Sequence, residues 1–147
     1  MNVHFITCSK HDIYQAFGKK IPLILELKPQ RTAAMHEMSI AMGIVKIAED
    51  ETRKAQARKV GRIELEIGTL AGIEFSALDF VWPAAVRDTV LEAAERQVDV
   101  IRGLARCMDC DTEFEVEQFY DACPRCKSNL KAILRGKELR VKALEVV

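Results

Sequence analysis

The chain has 147 residues, the length of one ordinary domain or of a domain with a small lobe attached. Hydrophobic residues make up 49% and charged residues 30%, a composition that excludes a disordered chain. Twenty-two basic side chains balance 22 acidic ones, which argues against a general nucleic-acid or anionic-lipid binder. No apolar run approaches the roughly 20 residues of a transmembrane helix. The composition predicts a cytoplasmic globular protein that binds neither nucleic acid nor membrane.

Residues 1–34, here called the leader, differ from the rest of the chain. They hold five basic and two acidic side chains, a charge of +3, so residues 35–147 of this neutral chain carry −3. No helical or strand period is sustained in the leader, although Ile21–Leu27 is compatible with one strand. Two interpretations are open: an N-terminal extension of the protein, or a misassigned start with translation beginning at Met35, which we favour.

Beyond the leader, the hydrophobic pattern predicts a helix, a strand and a second helix. Apolar residues that recur at i, i+4 and i+7 predict an amphipathic helix from about Glu37 to Ala57. Strict alternation of isoleucine and leucine with charged residues over 62–67 predicts a strand with one solvated face. A second helix is predicted over roughly Ala77–Val90, and Pro83 should kink or split it.

The last third of the chain contains two predicted strands and a cysteine-rich segment. A helical turn over Leu91–Arg96 precedes a strand predicted over Val98–Ala105, and a final strand covers Leu139–Val146. Residues 107–126 between these strands are rich in cysteine and acidic residues and poor in aliphatic ones. Because such a segment cannot bury a core of its own, another interaction must hold it together.

Four cysteines supply that interaction. They form two C-x2-C pairs separated by twelve residues: Cys107, Cys110, Cys123 and Cys126. Thiols two residues apart in a tight turn face one point, and two such turns give the tetrahedral four-sulfur site that Zn²⁺ prefers. Since four protein ligands leave no open position for a substrate, the spacing predicts a structural zinc site.

Other uses of these thiols are weaker alternatives. Disulfides or idle thiols are uncommon in a cytoplasmic chain with this paired spacing, and iron also binds four sulfurs. A nucleic-acid-binding zinc module is disfavoured because the segment from Cys107 to Cys126 has many acidic residues and no basic stripe. The fifth cysteine, Cys8, stands alone in the leader and is interpreted as an incidental thiol.

One of the three histidines has a distinctive setting, since His36 lies between Met35 and Glu37 immediately before the first predicted helix. As an isolated residue it would be a surface or capping histidine. If the chain began at Met35, however, a terminal amine, two backbone nitrogens and the imidazole would surround one cation in a plane. Such coordination selects Ni(II) or Cu(II). No nucleophile–base set or phosphate-binding loop occurs, so we predict that the chain is not an enzyme.

Together these features resemble the HypA/HybF family of small nickel metallochaperones, which mature nickel–iron hydrogenases. The resemblance covers residues 35–147 and depends on the opening at Met35–Ser39, the strand Gly61–Gly68 and the four-cysteine spacing. It implies an α+β fold in which two main helices pack on a small sheet and a zinc-ribbon-like lobe is inserted between strands. The implied division is a nickel-binding domain of 35–105 and 127–147, with a zinc lobe of 106–126.

The resemblance also implies metals and partners. His36 corresponds to the nickel-binding histidine, with the Met35 amine and Glu37 as co-ligands, and the four cysteines correspond to the zinc ligands. Family members work with a HypB-type GTPase and deliver Ni(II) to the hydrogenase large subunit, and some serve urease maturation. A monomer and a homodimer are both compatible. If the leader is retained, Met35 has no free amine. The alternative function is a zinc-ribbon adaptor that binds protein or nucleic acid without transferring nickel.

Overall fold

The computed structural model describes residues 18–27 and 37–147. The leader outside 18–27, with His4, Cys8 and His11, and residues 28–36, with Met35 and His36, lie outside the described residues. The helices and strands of the described part are, in chain order, β1 (Lys19–Glu26), α1 (Glu37–Lys54), β2 (Val60–Gly68), α2 (Phe75–Val86), β3 (Glu95–Ile101), β4 (Gly103–Cys107), β5 (Glu113–Val116), β6 (Lys131–Arg135) and β7 (Leu139–Val146).

A four-stranded sheet with strand order β1-β7-β2-β3 forms the main body. Strand β7 is antiparallel to both its neighbours, while β2 and β3 are parallel and are connected through α2. The strand predicted over 62–67 is confirmed, because Ile63, Leu65 and Ile67 are fully buried in the main core. The solvated face predicted for it is wrong at Glu64, which is only 8% exposed. The predicted strand Ile21–Leu27 corresponds to β1, and Leu139–Val146 is β7 with the same bounds.

Two helices cover the core side of this sheet. In α1 the buried side chains recur with helical spacing, as the amphipathic pattern predicted: Ile40, Ala41, Ile44, Val45, Ala48 and Thr52. Helix α2 continues through Pro83 and ends at Val86, four residues earlier than predicted, since Asp88 adopts a positive φ of 58°. Neither helix of the described residues is long and apolar enough to cross a membrane. The predicted α+β class is confirmed.

The region after α2 differs from the prediction. The segment Leu91–Arg96 is not a helical turn: non-helical turns extend to Ala93, and β3 begins at Glu95. The hydroxyl of Thr89 accepts a hydrogen bond from the Leu91 N–H, with the nitrogen and oxygen 3.2 Å apart, and so supplies the partner that a helix would have provided.

The strand predicted over Val98–Ala105 is also two strands rather than one. Strand β3 ends at Ile101 in the main sheet, and β4 begins at Gly103 in a separate three-stranded sheet of order β5-β4-β6. This second sheet includes residues 103–107 and 131–135, so its strands extend beyond the predicted lobe bounds of 106–126.

The two sheets meet at three glycines. A Cβ on Gly68 would lie 1.8 Å from the carbonyl oxygen of Gly136, and one on Gly136 would lie 2.6 Å from the Cα of Gly103. Leu70, which follows β2, packs into the second core beside them. Because main chains touch here, this glycine junction leaves no space for side chains and fixes how the second sheet sits on the first.

Candidate metal centres

All four predicted cysteines converge in the second sheet. Their Sγ atoms lie within 4.8 Å of one another. The Sγ atoms of Cys107 and Cys126 are 3.5 Å apart, and those of Cys110 and Cys123 are 3.6 Å apart. With Zn–S bonds of about 2.3 Å, a tetrahedral site separates its sulfurs by about 3.8 Å. The donor set and its spacing therefore fit a zinc ion, whereas a disulfide needs sulfurs about 2.05 Å apart.

Two backbone turns of the same design present these thiols. The N–H of Cys107 donates to the carbonyl oxygen of Thr112, and the N–H of Cys123 donates to that of Ser128, both with nitrogen–oxygen distances of 2.9 Å. In each turn the first cysteine is thus hydrogen-bonded to the residue five positions later. The repeated bond pattern explains why two C-x2-C sequences twelve residues apart build matching halves of one site.

Each turn is closed by a residue with left-handed backbone. Asp111 has a φ of 64° and Lys127 a φ of 63°, each directly after the second cysteine of its pair. Their N–H groups donate to the carbonyl oxygens of Cys107 and Cys123, at 3.1 and 2.9 Å. Since neither residue is glycine, the turns hold a conformation that L-residues avoid, and the surrounding hydrogen bonds must stabilise it.

Burial of the four thiols is unequal. Cys107 and Cys123 are 0% exposed and belong to the second core, with Leu70, Ala105, Phe114 and Val116. Cys110 is half-buried and Cys126 is exposed. The cluster therefore spans the region from the small core to the protein surface, and a bound ion would join the two turns.

Hydrogen bonds shift the pKa values of Cys110 and Cys126 in opposite directions. The hydroxyl and the N–H of Thr112 lower the pKa of Cys110 to about 6. The N–H of Ser128 lowers the pKa of Cys126, but the neighbouring thiols, first Cys107, outweigh it and raise that pKa to about 12. Four thiolates this close repel one another, and a divalent cation relieves that repulsion.

The described part of the predicted nickel site is Glu37, the first residue of α1. One of its carboxylate oxygens accepts a hydrogen bond from the N–H of Glu74, with the two atoms 3.3 Å apart. Glu74 directly precedes α2, and its own carboxylate accepts a bond from the Ser76 hydroxyl at 2.9 Å. The beginnings of the two helices therefore meet at the hydrogen bond between the Glu74 N–H and the Glu37 carboxylate.

Sequence reasoning missed Glu74, because a contact between residues 37 positions apart leaves no local pattern. It also assigned no role to the lobe's third strand, β6. Its segment Lys131–Arg135 shows no alternation, and antiparallel pairing with β4 forms the strand. The converging cysteines, by contrast, were found from their spacing alone.

The fold and the four-thiol site define a small α+β metal-binding protein. A sequence profile described as "Hydrogenase/urease nickel incorporation, metallochaperone, hypA" matches residues 35–146. The chain therefore belongs to the HypA family of nickel metallochaperones, and the resemblance predicted from its sequence is confirmed. The match includes Met35, His36, Glu37 and all four cysteines.

Individual relatives agree. The hydrogenase maturation factor HypA of Geotalea uraniireducens (strain Rf4) is 43% identical over 112 residues, which are 76% of this chain and 99% of the relative. The HypA of Azotobacter chroococcum mcd 1 is 41% identical over 112 residues, again 76% and 99% of the two chains. The solution structure of the Ni metallochaperone HypA from Helicobacter pylori superposes with a TM-score of 0.56 and 25% identity, over 77% of this chain and 98% of that one. These matches favour the nickel carrier over the zinc-ribbon adaptor.

Proposed function

We propose that this chain binds Ni(II) in the cytoplasm and passes it to the large subunit of a nickel–iron hydrogenase during maturation. The observation that carries the proposal is the match to a nickel metallochaperone family over residues 35–146, a range that contains His36 and the four cysteines. The convergence of those cysteines supports it, since the zinc half of the expected metal pair has a fitting donor set.

Ni(II) is bound by His36, with Met35 and Glu37 as co-ligands. These ligands are consecutive in the chain, so nitrogen donors from neighbouring residues surround the ion. During transfer, ligands of the partner replace them one at a time. The hydrogen bond from the Glu74 N–H engages one oxygen of Glu37 and anchors the start of α1 beside this site. Retention of the leader removes the Met35 amine and weakens binding.

The zinc site is structural, with Cys107, Cys110, Cys123 and Cys126 as ligands. When bound, the ion supplies charge neutralisation and crosslinks the two turns. We place the zinc lobe at residues 103–135, because the three strands that carry and flank the cysteines lie within these bounds. The rest of residues 35–147 forms the nickel-binding domain.

A HypB-type GTPase is the proposed working partner, and urease maturation proteins are further candidates. The family description, which covers both hydrogenase and urease nickel incorporation, supports this range of clients. The chain binds this partner as a monomer or as a homodimer. It catalyses no reaction itself.

A transfer experiment tests this function. The full chain loaded with Ni(II) is mixed with metal-free hydrogenase large subunit, and nickel on the large subunit is measured after separation. We expect transfer by the wild type and by His11→Ala, which removes a histidine of the leader, but not by His36→Ala. Equal transfer by His36→Ala would exclude the proposed carrier site.

A further inference from the structure

Strand β1 adds a fourth strand to the main sheet from outside the family match, which begins at residue 35. It pairs antiparallel with the outer edge of β7, from Lys19 opposite Val146 to Glu26 opposite Arg140. Beyond its end, the N–H of Leu27 donates to the carbonyl oxygen of Leu139 at 3.0 Å. The leader thus supplies main-chain hydrogen bonds to an edge that would otherwise be open.

The side chains of this segment are sorted between the core and solvent. Ile21, Leu23 and Leu27 pack against the main core, whereas Ile24 is 77% exposed. The Cδ2 atom of Leu27 lies 2.7 Å from where a Cβ on Gly43 of α1 would be. A glycine in the middle of a helix is unfavourable by roughly 0.5–1 kcal/mol relative to alanine, and here it makes room for a leader side chain.

An ion pair between a half-exposed lysine and a buried carboxylate accompanies the strand, with side-chain exposures of 53% for Lys20 and 11% for Glu64. Glu64 is one of two buried polar residues in the described part of the chain, at 8% exposure, and its Oε1 lies 2.5 Å from the Nζ of Lys20. Glu64 is on β2, so the lysine reaches across β7. The β7 residue aligned with both Glu64 and Pro22 is the small, buried Ala143. Because the docked strand covers the Glu64 carboxylate, the ammonium of Lys20 beside it offsets part of the cost of removing that carboxylate from water.

We propose that the outer edge of β7, together with Ala143, Glu64 and Gly43, is a strand-docking groove that the chain fills with its own residues 19–27. The groove recognises an extended segment that presents a lysine followed by alternating apolar side chains. Unpaired strand edges recruit strands from other chains, so the in-chain strand protects β7 from such pairing. This assignment goes beyond nickel transfer and does not depend on it.

Paired variants of the full chain test whether the strand is docked. Hydrogen exchange of β7 amides is compared between Leu23→Asp, which places a charge on the packed side, and Ile24→Asp, a matched charge on the exposed side. We expect Leu23→Asp to speed β7 exchange at least tenfold and Ile24→Asp to leave it within twofold. Equal effects of the two variants would overturn the proposal.

The ion pair provides a second test that does not depend on the apolar contacts. Lys20→Met and Glu64→Gln should each speed β7 exchange, and the double variant should be no faster than the more affected single variant. Additive effects would show that the two side chains are not coupled, and would remove the recognition element from the proposal.

A peptide tests whether the groove accepts a separate strand. A labelled peptide of residues 18–27 should bind the Leu23→Asp chain and restore slow β7 exchange, while the wild-type chain, whose groove is filled, should not bind it. Failure of the peptide to bind the Leu23→Asp chain would contradict the groove. A wild-type dimer that Leu23→Asp converts to a monomer would show that a second copy supplies the strand, and would overturn its assignment to the same chain.

Discussion

Among residues 18–27 and 37–147, eighteen buried hydrophobic residues form the main core between the four-stranded sheet and two helices, whereas six, two of them cysteines, form the core of the second sheet. Burial of apolar surface is thus the dominant stabilising term for the main body, at about 25 cal/mol per Å². Six residues cannot offset the conformational entropy of three strands and two turns. The comparison indicates that the second sheet depends on its metal for folding, while the main sheet does not.

The two proposed metal sites also differ, in how their ligands are arranged along the chain. The four cysteines proposed as zinc ligands come from two separate turns and converge on one point, which suits an ion that stays bound. The proposed nickel ligands are three residues consecutive in the sequence, which suits an ion that is released. A retained ion and a transferred ion therefore require different ligand arrangements within one small chain.

Loss of zinc should produce the largest difference in stability between the two sheets. In Cys123→Ser, amides of β4, β5 and β6 should lose their protection from hydrogen exchange, because structural zinc contributes about 10–16 kcal/mol in small domains. Amides of β2 and β7 should keep theirs. The control Cys8→Ser removes the fifth cysteine, which is not one of the four proposed ligands, and should change neither sheet. Simultaneous unfolding of both sheets in Cys123→Ser would contradict the comparison. Metal analysis of the wild-type protein should find zinc, and the protein should lack the colour of an iron–sulfur site.

A substitution at the glycine junction should have the next largest effect. Gly68→Ala places a methyl group 1.8 Å from the Gly136 carbonyl oxygen, so we expect a loss of about 3 kcal/mol in the free energy of unfolding. Gly61→Ala, in the same strand, meets its nearest atom at an ordinary 3.5 Å and should change stability by less than about 0.5 kcal/mol. Urea denaturation measures both. Similar midpoints for the two variants would mean that the sheets do not meet as described.

A smaller effect is expected in the zinc turns. Asp111→Gly relieves the left-handed backbone at φ 64° and should stabilise the second sheet by about 1 kcal/mol, whereas Asp111→Ala should destabilise it. The difference should be visible in hydrogen exchange of β4 and β5 and absent in the main sheet. If Asp111→Gly and Asp111→Ala had the same stability, the turn would not be strained at this position.

The smallest effect concerns a surface pair of the main sheet. Hydrogen bonding to Lys142, with a further bond from Gln97, lowers the pKa of Asp99 below its ordinary value. Because the folded-state pKa lies below that of the unfolded chain, the pair stabilises the fold above about pH 4, and this contribution disappears as the pH falls through the folded-state pKa. Asp99→Asn should therefore lower the urea midpoint at pH 7 and leave it unchanged near pH 2. A constant difference from the wild type at both pH values would contradict this cause.

Elements with a strong local period were predictable from the sequence. The alternation of Ile63, Leu65 and Ile67 located β2, helical spacing located α1, and the strand Leu139–Val146 was found with its bounds. The C-x2-C spacing located the four cysteines that converge, because short chelating turns are encoded locally. These successes share one cause: each pattern can be recognised within a few consecutive residues, even where the strand's partners are distant in sequence.

Features that depend on distant contacts were not predictable. Apolar residues on both sides of Arg102 conceal the change of sheet there, since no local signal separates the end of β3 from the start of β4. Strand β6 has no alternation and exists through its pairing with β4. The ion pair of Lys20 with Glu64 joins residues 44 positions apart, so the sequence showed only two ordinary charges.

The central claim is that one chain holds two metals in separate roles, and the metal content of the full chain tests it most directly. After dialysis against limiting Ni(II), nickel and zinc are measured in the wild type, His36→Ala and Cys123→Ser. We predict that His36→Ala loses nickel and keeps zinc, and that Cys123→Ser loses zinc. Nickel retained by His36→Ala at the wild-type level would contradict the account.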